Sequence, residues 1–372
     1  MIIAMTSSSR QPYKRVVVKI GSSTLTTPDG TLDASFFDDL ARQISVVRKR
    51  GAQVLIVTSG AIRAGSARLE LRRSPRTMPE KQAAAAIGQG LLMQAYSEAF
   101  AAHGMTVAQV LLIRDDFQDR RRYINARNTL SALLACGAVP IINENDTVAV
   151  DEIKVGDNDT LSSLVAAAID ADLLLLLSDV PGLLDASGEV IPEVRSLGPE
   201  IREIAGSAGE FGTGGMKTKV DAAHIASNCG AVTVVAHGRE PDVVARVSAG
   251  ERLGTWFLLP GQPKLCNRKR WIACGRRLKG TIVVNDGAKE MVLNRGKSLL
   301  PAGIVGLSGS FESGDLVAVA DETGRRIARG FVNYSAEEIR KIQGKRSGEI
   351  ENVLGYKDFD EVIHRDNMVL GV

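Results

Sequence analysis

Residues 173–180 read LLLLLSDV, five consecutive leucines followed by Ser178 and Asp179. A short, uninterrupted apolar run predicts a strand buried on both faces, as in a parallel sheet, whereas strands with one solvated face alternate apolar and polar residues. Polar residues directly after such a strand lie at its carboxyl end, where open α/β sheets bind ligands. The stretch therefore predicts a helix-covered sheet and the edge at which a site would lie.

Similar apolar runs recur along the first two thirds of the chain, and helical segments separate them. The predicted strands are Val16–Ile20, Val54–Val57, Thr106–Leu112, Val139–Ile142, Leu173–Leu177 and Val232–Val235. The predicted helices are Ser35–Arg50, Pro79–His103, Arg121–Cys136, Thr160–Asp170 and Lys217–Asn228. Such alternation indicates βαβ units, so we expect an α/β fold: an open, mainly parallel sheet sandwiched by helices.

The pattern changes to short strands and turns from Thr281 onward. Residues Leu316–Ala320 and Ile327–Val332 flank a turn-like Glu-Thr-Gly and predict a hairpin. Asn285-Asp286-Gly287 also indicates a turn, and Ser335 with Glu338 predicts the start of a short helix that ends at Ile342. We expect a small β-rich domain here. The predicted division is a flexible tail at 1–14, a large domain at 15–265, a basic linker at 266–279 and the β-rich domain at 280–372.

Length and composition limit the functional classes. The chain has 372 residues, enough for about two domains, and a net charge of only +3, which argues against an obligate nucleic-acid or membrane-surface binder. The longest apolar runs are too short to span a bilayer, and the N-terminus has no apolar core typical of a signal peptide. Four scattered cysteines without C-x-x-C spacing indicate reduced thiols and no zinc site. We expect a cytoplasmic protein.

Small polar clusters follow the first two predicted strands. Lys19 ends the first strand, before Gly21-Ser22-Ser23, and its ammonium group with the amides of this turn suits an anion. Thr58-Ser59-Gly60 follows the second strand and opens a helix, whose N-terminus suits a carboxylate or phosphate. Each has an ordinary alternative, since strand-end lysines are often merely exposed and Thr58 or Ser59 could be a simple N-cap.

The third cluster is the most informative. Residues 143–146 read NEND, and residues 154–159 read KVGDND, so amides and acids are concentrated in about seventeen residues between apolar segments. Such loops can bind an amino acid by its ammonium and carboxylate groups, and the acids can orient a lysine or help to hold Mg²⁺. A polar surface loop is the alternative; a calcium loop is disfavoured because the EF-hand spacing is absent.

The fourth cluster, at residues 212–219, reads GTGGMKTK and opens a predicted helix. Its glycines allow backbone amides to approach phosphates closely, although the segment matches neither a Walker A loop nor a dinucleotide-binding fingerprint. Ser178 and Asp179 are further candidates for nucleotide contact. The four histidines lie outside all four clusters. This favours phosphoryl transfer to a carboxylate, which is already ionised at neutral pH and requires no general base.

Together, and in this order, VVKIGSS, VTSGAI, INENDTV, IKVGDND, LLLSDVPGL and GTGGMKTK resemble the amino acid kinase family, in particular its members that phosphorylate glutamate. The C-terminal part resembles a PUA domain, so the resemblance covers nearly the whole chain. It implies ATP-dependent phosphorylation of the side-chain carboxylate of L-glutamate to L-glutamyl 5-phosphate, the first step of proline biosynthesis. ATP with Mg²⁺ is the implied cofactor.

The resemblance also implies roles for individual positions. Lys19 and Lys219 would neutralise the transferring phosphoryl group, and Asp159 would hold both lysines in place. The residues implied to bind glutamate are Ser59, Asp146, Asp157 and Asn158. The residues implied to bind ATP are Lys19, Ser178, Asp179, Thr213, Gly214, Gly215, Met216, Lys217, Thr218 and Lys219.

The resemblance further implies feedback inhibition by proline and a homo-oligomer, either a dimer or a tetramer. A transient complex with the reductase that forms glutamate 5-semialdehyde would protect the labile acyl phosphate. PUA domains elsewhere bind RNA, but residues 280–372 carry 12 Lys and Arg against 14 Asp and Glu, without the basic footprint of RNA-binding modules. We therefore expect no nucleic-acid partner and a structural or regulatory domain.

Three alternatives stay open from sequence. The chain could be a kinase of the same fold that acts on a different acid. It could be an RNA-binding protein that uses its C-terminal domain and the basic stretch 267–280, which contains six Lys and Arg and no acid. It could also sense an amino acid without turnover, although a sensor would not need Lys19, Asp159 and Lys219.

Overall fold

An eight-stranded sheet organises the N-terminal part of the chain. The computed structural model describes residues 13–69, 75–149, 157–207, 215–259 and 278–370. The strands of this sheet are β1 (Arg15–Ile20), β2 (Gln53–Val57), β3 (Val107–Leu112), β4 (Val139–Glu144), β5 (Leu173–Ser178), β6 (Glu193–Val194), β7 (Val232–His237) and β8 (Thr255–Phe257). Their order is β3-β4-β2-β1-β5-β7-β8-β6, and every neighbouring pair is parallel except β7 and β8.

Helices cover both faces of this sheet. They are α1 (Ser22–Leu25), α2 (Ala34–Lys49), α3 (Ala61–Arg68), α4 (Met78–Ala101), α5 (Arg120–Ala135), α6 (Asp157–Ala168), α7 (Pro199–Ser207), α8 (Gly215–Ser227) and α9 (Val243–Ser248). Capping side chains set some of their starts, such as the reciprocal Thr77–Glu80 capping box before α4. The predicted α/β fold is confirmed, and each predicted strand and helix of this part lies within a few residues of an observed one.

The alternation of side chains along β1 decides what each face of the sheet contacts. Val16, Val18 and Ile20 belong to the apolar core formed with α2, α4 and α9. Because successive strand residues point to opposite faces, Val17 and Lys19 point to the other face, which α6 and α8 cover. Lys19, in the buried part of this strand, is thus directed at helices α6 and α8.

Helices α3 and α4 cross with their backbones in close contact. A Cβ atom on Gly65 would lie 1.8 Å from the carbonyl oxygen of Ala84, and one on Gly88 would lie 1.8 Å from that of Ala61. Only glycine fits such a crossing. Since Ala61 is the first residue of α3 and follows the Ser59–Gly60 turn, the crossing fixes that turn against the middle of α4.

The second compact unit contains a separate five-stranded sheet. Its strands are β9 (Gly280–Val284), β10 (Ile304–Gly309), β11 (Leu316–Asp321), β12 (Arg326–Phe331) and β13 (Met368–Leu370), and its helices are α10 (Asp286–Leu293), α11 (Ala336–Ile342) and α12 (Ile350–Leu354). The strand order is β10-β9-β11-β12-β13, with β9 and β11 parallel. The predicted hairpin is confirmed as β11 and β12, and Ser335 caps α11 with Glu338 in a capping box.

One sequence prediction in this unit is wrong. Asn285-Asp286-Gly287 is not a turn between strands but the start of α10, because the side chain of Asn285 accepts a hydrogen bond from the backbone N–H of Ala288. Asparagine is among the best N-cap residues, and the following AKEMVL favours a helix.

The predicted tail at 1–14 and linker at 266–279 lie almost entirely outside the described residues, so their boundaries stay predictions. None of the helices in the described ranges combines the length and the apolar character that crossing a bilayer requires.

We predict that Gly88→Ala lowers the free energy of unfolding by about 2–3 kcal/mol, because the new methyl group overpacks the helix crossing. Gly90→Ala is the matched control, since it lies on the same helix with nothing near its would-be Cβ atom. It should be neutral or stabilising by up to about 1 kcal/mol. Urea denaturation of both variants measures the difference, and equal midpoints would contradict the close crossing.

Candidate active site

Two lysines and one aspartate form a buried charged cluster at the carboxyl end of the sheet. The Lys19 Nζ of β1 lies 2.6 Å from Asp159 Oδ1 on α6, and the Lys219 Nζ of α8 lies 3.3 Å from Asp159 Oδ2. Asp159 is 1% exposed, Lys19 6% and Lys219 7%. With both lysines protonated, the cluster carries one net positive charge in a poorly solvated place.

Helix α8 supports this cluster from its first turn. The Lys219 side chain bends back towards the helix N-terminus, as helical side chains do, and its Nζ donates to the carbonyl oxygen of Gly215 at 3.0 Å. The Thr218 hydroxyl lies 2.8 Å from Asp159 Oδ2 and 2.9 Å from the same Gly215 oxygen. With one proton, this hydroxyl can donate to only one of the two at a time.

The pKa values of the cluster reflect burial and mutual attraction. Burial alone would raise the pKa of Asp159, but the charges of Lys19 and Lys219 outweigh it and hold that pKa below its usual value. Burial lowers the pKa of Lys219, with the charge of Lys19 adding to the effect and Asp159 opposing it. The carboxylate is therefore ionised at neutral pH and keeps the lysines together.

A second cluster, of amides and a hydroxyl, lies beside the first. The Asn158 Nδ2 donates to Ser59 Oγ at 3.0 Å and to Asn143 Oδ1 at 3.3 Å. Asn143 is the penultimate residue of strand β4, is 1% exposed, and donates through its Nδ2 to Gln89 Oε1 of α4 at 2.8 Å. We call Ser59, Asn143 and Asn158 the amide cluster. Such groups provide both donors and acceptors for an amino acid.

Helix α6 joins the two clusters, because Asn158 and Asp159 are consecutive in its first turn. Adjacent helical residues point about 100° apart, so Asn158 reaches the amide cluster while Asp159 reaches the lysines. A ligand bound by the amide cluster would therefore have its reactive group close to the positive charge.

Of the residues predicted to bind glutamate, the structure brings Ser59 and Asn158 together. Asp146 is half-buried in the turn after β4, and Asp157 is the first residue of α6. Asn143 lies within the NEND motif, but the sequence alone assigns it no individual role. Its place at a strand end was the available signal, whereas Gln89 lies in mid-helix and only the fold reveals its contact.

Among the residues predicted to bind ATP, Ser178 ends β5 and its hydroxyl donates to Asp179 Oδ1 at 3.1 Å. The Asp179 carboxylate is exposed and close enough to add a small attraction to the charge of Lys219. Gly215 and Met216 are half-exposed at the start of α8, whereas Lys217 is exposed. Thr213 and Gly214 lie outside the described residues.

We predict that Asp159→Asn destabilises the protein by about 3 kcal/mol at neutral pH, because two buried ammonium groups lose their counter-charge. The pKa of Asp159 is lowered in the folded state. Its contribution is thus present above the unfolded carboxyl pKa of about 4 and is lost as the pH falls further. The difference in free energy of unfolding between the variant and the unsubstituted protein should therefore become smaller in acid.

Urea denaturation at neutral and acidic pH measures this difference, with Asp38→Asn as the control because Asp38 is an exposed residue of α2. Equal loss of stability in the two variants would contradict a buried, paired carboxylate.

Comparison with known proteins assigns both parts of the chain. Residues 14–236 match the amino acid kinase family, and residues 280–354 match the PUA domain. The chain is 50% identical to a glutamate 5-kinase from Caldanaerobacter subterraneus, over 96% of this chain and 97% of that protein. It is 48% identical to the glutamate 5-kinase of Geobacter sulfurreducens, over 98% of this chain and 100% of that protein.

The glutamate 5-kinase of Chromohalobacter salexigens is 47% identical, over 96% of each chain. The resemblance seen in the motifs is thus confirmed over nearly the whole chain. The chain belongs to the amino acid kinase family.

Proposed function

We propose that the chain transfers the γ-phosphoryl group of ATP to the side-chain carboxylate of L-glutamate, giving L-glutamyl 5-phosphate, the first step of proline biosynthesis. The observation that carries the proposal is the buried Lys19–Asp159–Lys219 cluster beside the amide cluster. Relatives at 47–50% identity along nearly the whole chain, each a glutamate 5-kinase, support glutamate as the acceptor.

The reaction needs alignment and positive charge more than proton transfer. A carboxylate oxygen of glutamate forms a bond to the γ-phosphorus, while the bond from that phosphorus to the bridging oxygen breaks and its electron pair leaves with ADP. The glutamate carboxyl group has a pKa of about 4.3 in its ordinary state, so it is ionised at neutral pH. No general base is required.

Lys19 and Lys219 supply the positive charge. Their ammonium groups would face the oxygens of the transferring phosphoryl group, where negative charge builds up between the acceptor and ADP. Asp159 holds both ammonium groups in position before the substrates arrive. Because burial keeps water away, each such interaction is stronger than it would be in solvent.

The remaining predicted residues bind the two substrates in this proposal. Ser59, Asp146, Asp157 and Asn158 would contact glutamate. Ser178, Asp179 and residues 213–219 would bind ATP, since the amides at the N-terminus of α8 favour phosphate.

Mg²⁺ prefers oxygen ligands: phosphate oxygens, one or two carboxylates, and water. It would bind together with ATP, on the phosphate groups, and would supply further positive charge there. Within the described residues no three His, Cys, Asp or Glu side chains are grouped to hold a metal.

We also propose that the protein has the regulation and assembly that the family resemblance implies. Proline would inhibit the reaction at or near the glutamate loops, and the chain would form a homo-oligomer. A transient complex with the reductase that consumes the acyl phosphate would limit its hydrolysis.

We predict that the protein releases ADP with ATP, Mg²⁺ and L-glutamate, and that hydroxylamine traps the product as a hydroxamate. Aspartate and N-acetylglutamate should react weakly. Lys219→Ala should lower kcat by at least about 100-fold, the scale for losing one transition-state donor. The KM for glutamate should change little, since Lys219 acts on the phosphoryl group. Lys49→Ala, at an exposed residue of α2, is the control.

If the protein phosphorylates a different acid and not glutamate, that acid would replace glutamate as the proposed substrate. The protein would still be a kinase of the same fold. Tight binding of glutamate or proline without any turnover would favour a sensor instead. RNA affinity that falls steeply with salt, again without turnover, would favour a nucleic-acid function of the second domain.

A further inference from the structure

We infer that Gln89 of α4 is a positioning residue for the amino-acid site: its Oε1 holds the Asn143 amide in the orientation that the backbone N–H of Glu144 selects. Through Asn143, it stabilises the arrangement in which Asn158 and Ser59 present their donors and acceptors to the substrate. The inference rests on the proposed function and adds a residue that none of the sequence motifs contains. Gln89 lies in mid-helix, 54 residues before Asn143.

The backbone N–H of Glu144 determines which atoms donate and which accept in this series of hydrogen bonds. The backbone N–H of Glu144 is only a donor, and the Asn143 side-chain atom 2.9 Å from it must therefore be Oδ1. The Nδ2 of Asn143 then faces Gln89, and the Gln89 atom opposite it, at 2.8 Å, must be the acceptor Oε1. The amide orientations thus follow from a group that cannot be reversed.

The orientation of the Asn143 amide in turn determines the hydrogen bonds of Asn158 and Ser59. Asn143 Oδ1 is an acceptor, so Asn158 turns Nδ2 towards it and towards Ser59 Oγ. Both protons of that Nδ2 are then used, and the Ser59 hydroxyl, having accepted, keeps its own proton to donate. Asn158 Oδ1 is buried, and the described residues offer it no hydrogen-bond partner.

The acceptor Asn158 Oδ1 and the donor hydroxyl of Ser59 suit the ammonium and carboxylate groups of an amino acid. An unpaired buried acceptor is costly, and an ammonium group of the substrate would satisfy Asn158 Oδ1. The Ser59 hydroxyl would donate to a substrate carboxylate. With the Asn143 amide reversed, Asn158 and Ser59 would present the opposite pattern of donors and acceptors. Loss of Gln89 would leave the Asn143 Nδ2 without its acceptor, so Gln89 stabilises the orientation that favours the amino acid.

Gln89 is held rigidly enough for this role. It follows Gly88, whose close contact with Ala61 fixes α4 against the start of α3, two residues after Ser59.

The other end of the Gln89 amide, Nε2, is buried without a hydrogen-bond partner among the described residues. An unpaired buried donor destabilises a fold, so Gln89 contributes less to stability than an apolar residue of its size would.

The test is steady-state kinetics of Gln89→Met, which keeps the volume and removes both polar atoms. The KM for glutamate should rise about ten-fold, the loss expected for one hydrogen bond in a network. The kcat and the KM for ATP should stay within two-fold of the unsubstituted protein, and the midpoint of urea unfolding should not fall. Gln94→Met is the matched control, because Gln94 is an exposed residue of the same helix and donates to exposed Glu98.

A double-substitution cycle with Asn143→Ala separates positioning from general damage. If Gln89 acts through Asn143, adding Gln89→Met to Asn143→Ala should change the KM for glutamate less than two-fold. Additive effects, an unchanged KM in the single variant, or an equal rise of both KM values would overturn the inference. No glutamate turnover by the unsubstituted protein would overturn the proposed function, and this inference with it.

Discussion

The buried carboxylate of Asp159, held between the ammonium groups of Lys19 and Lys219, is the interaction on which the site depends. Each ion would be costly to bury alone, and only their pairing, with the Thr218 hydroxyl close by, makes the cluster tolerable. One carboxylate cannot cancel two lysines. With both lysines protonated, the fold keeps a net positive charge at the end of the sheet, where a phosphoryl group in transfer would need it.

The surrounding fold explains why these groups meet. Lys19 reaches α6 and α8 because it has the same orientation as Val17 in β1, while its neighbours face α2, α4 and α9. The first turn of α6 then points Asn158 and Asp159 to different clusters. Site residues carried on strand ends and helix starts are held more rigidly than residues on long loops, which favours preorganised charge over substrate-induced rearrangement.

Much of this arrangement could be predicted from the sequence, because continuous apolar runs identify buried parallel strands and polar residues after them identify the ligand-binding edge. The five leucines before Ser178 are an example of such an apolar run, and the NEND motif is an example of polar residues at the end of a strand. Other features need the three-dimensional fold. Gln89 has no local signature, and its contact with Asn143 of β4 joins residues that are 54 positions apart in the sequence. The sequence predicts a turn at Asn285, where the structure has a helix N-cap, because turns and helix N-caps favour the same amino acids.

A crystal structure of the protein with a non-hydrolysable ATP analogue, Mg²⁺ and L-glutamate would show directly whether the buried lysines contact the phosphoryl group. We predict that γ-phosphoryl oxygens lie about 3 Å from the Nζ atoms of both Lys19 and Lys219. We also predict that the glutamate side-chain carboxylate approaches that phosphorus from the side of Ser59 and Asn158. A γ-phosphate bound away from both lysines, with Asp159 and the lysines unchanged, would contradict these predictions.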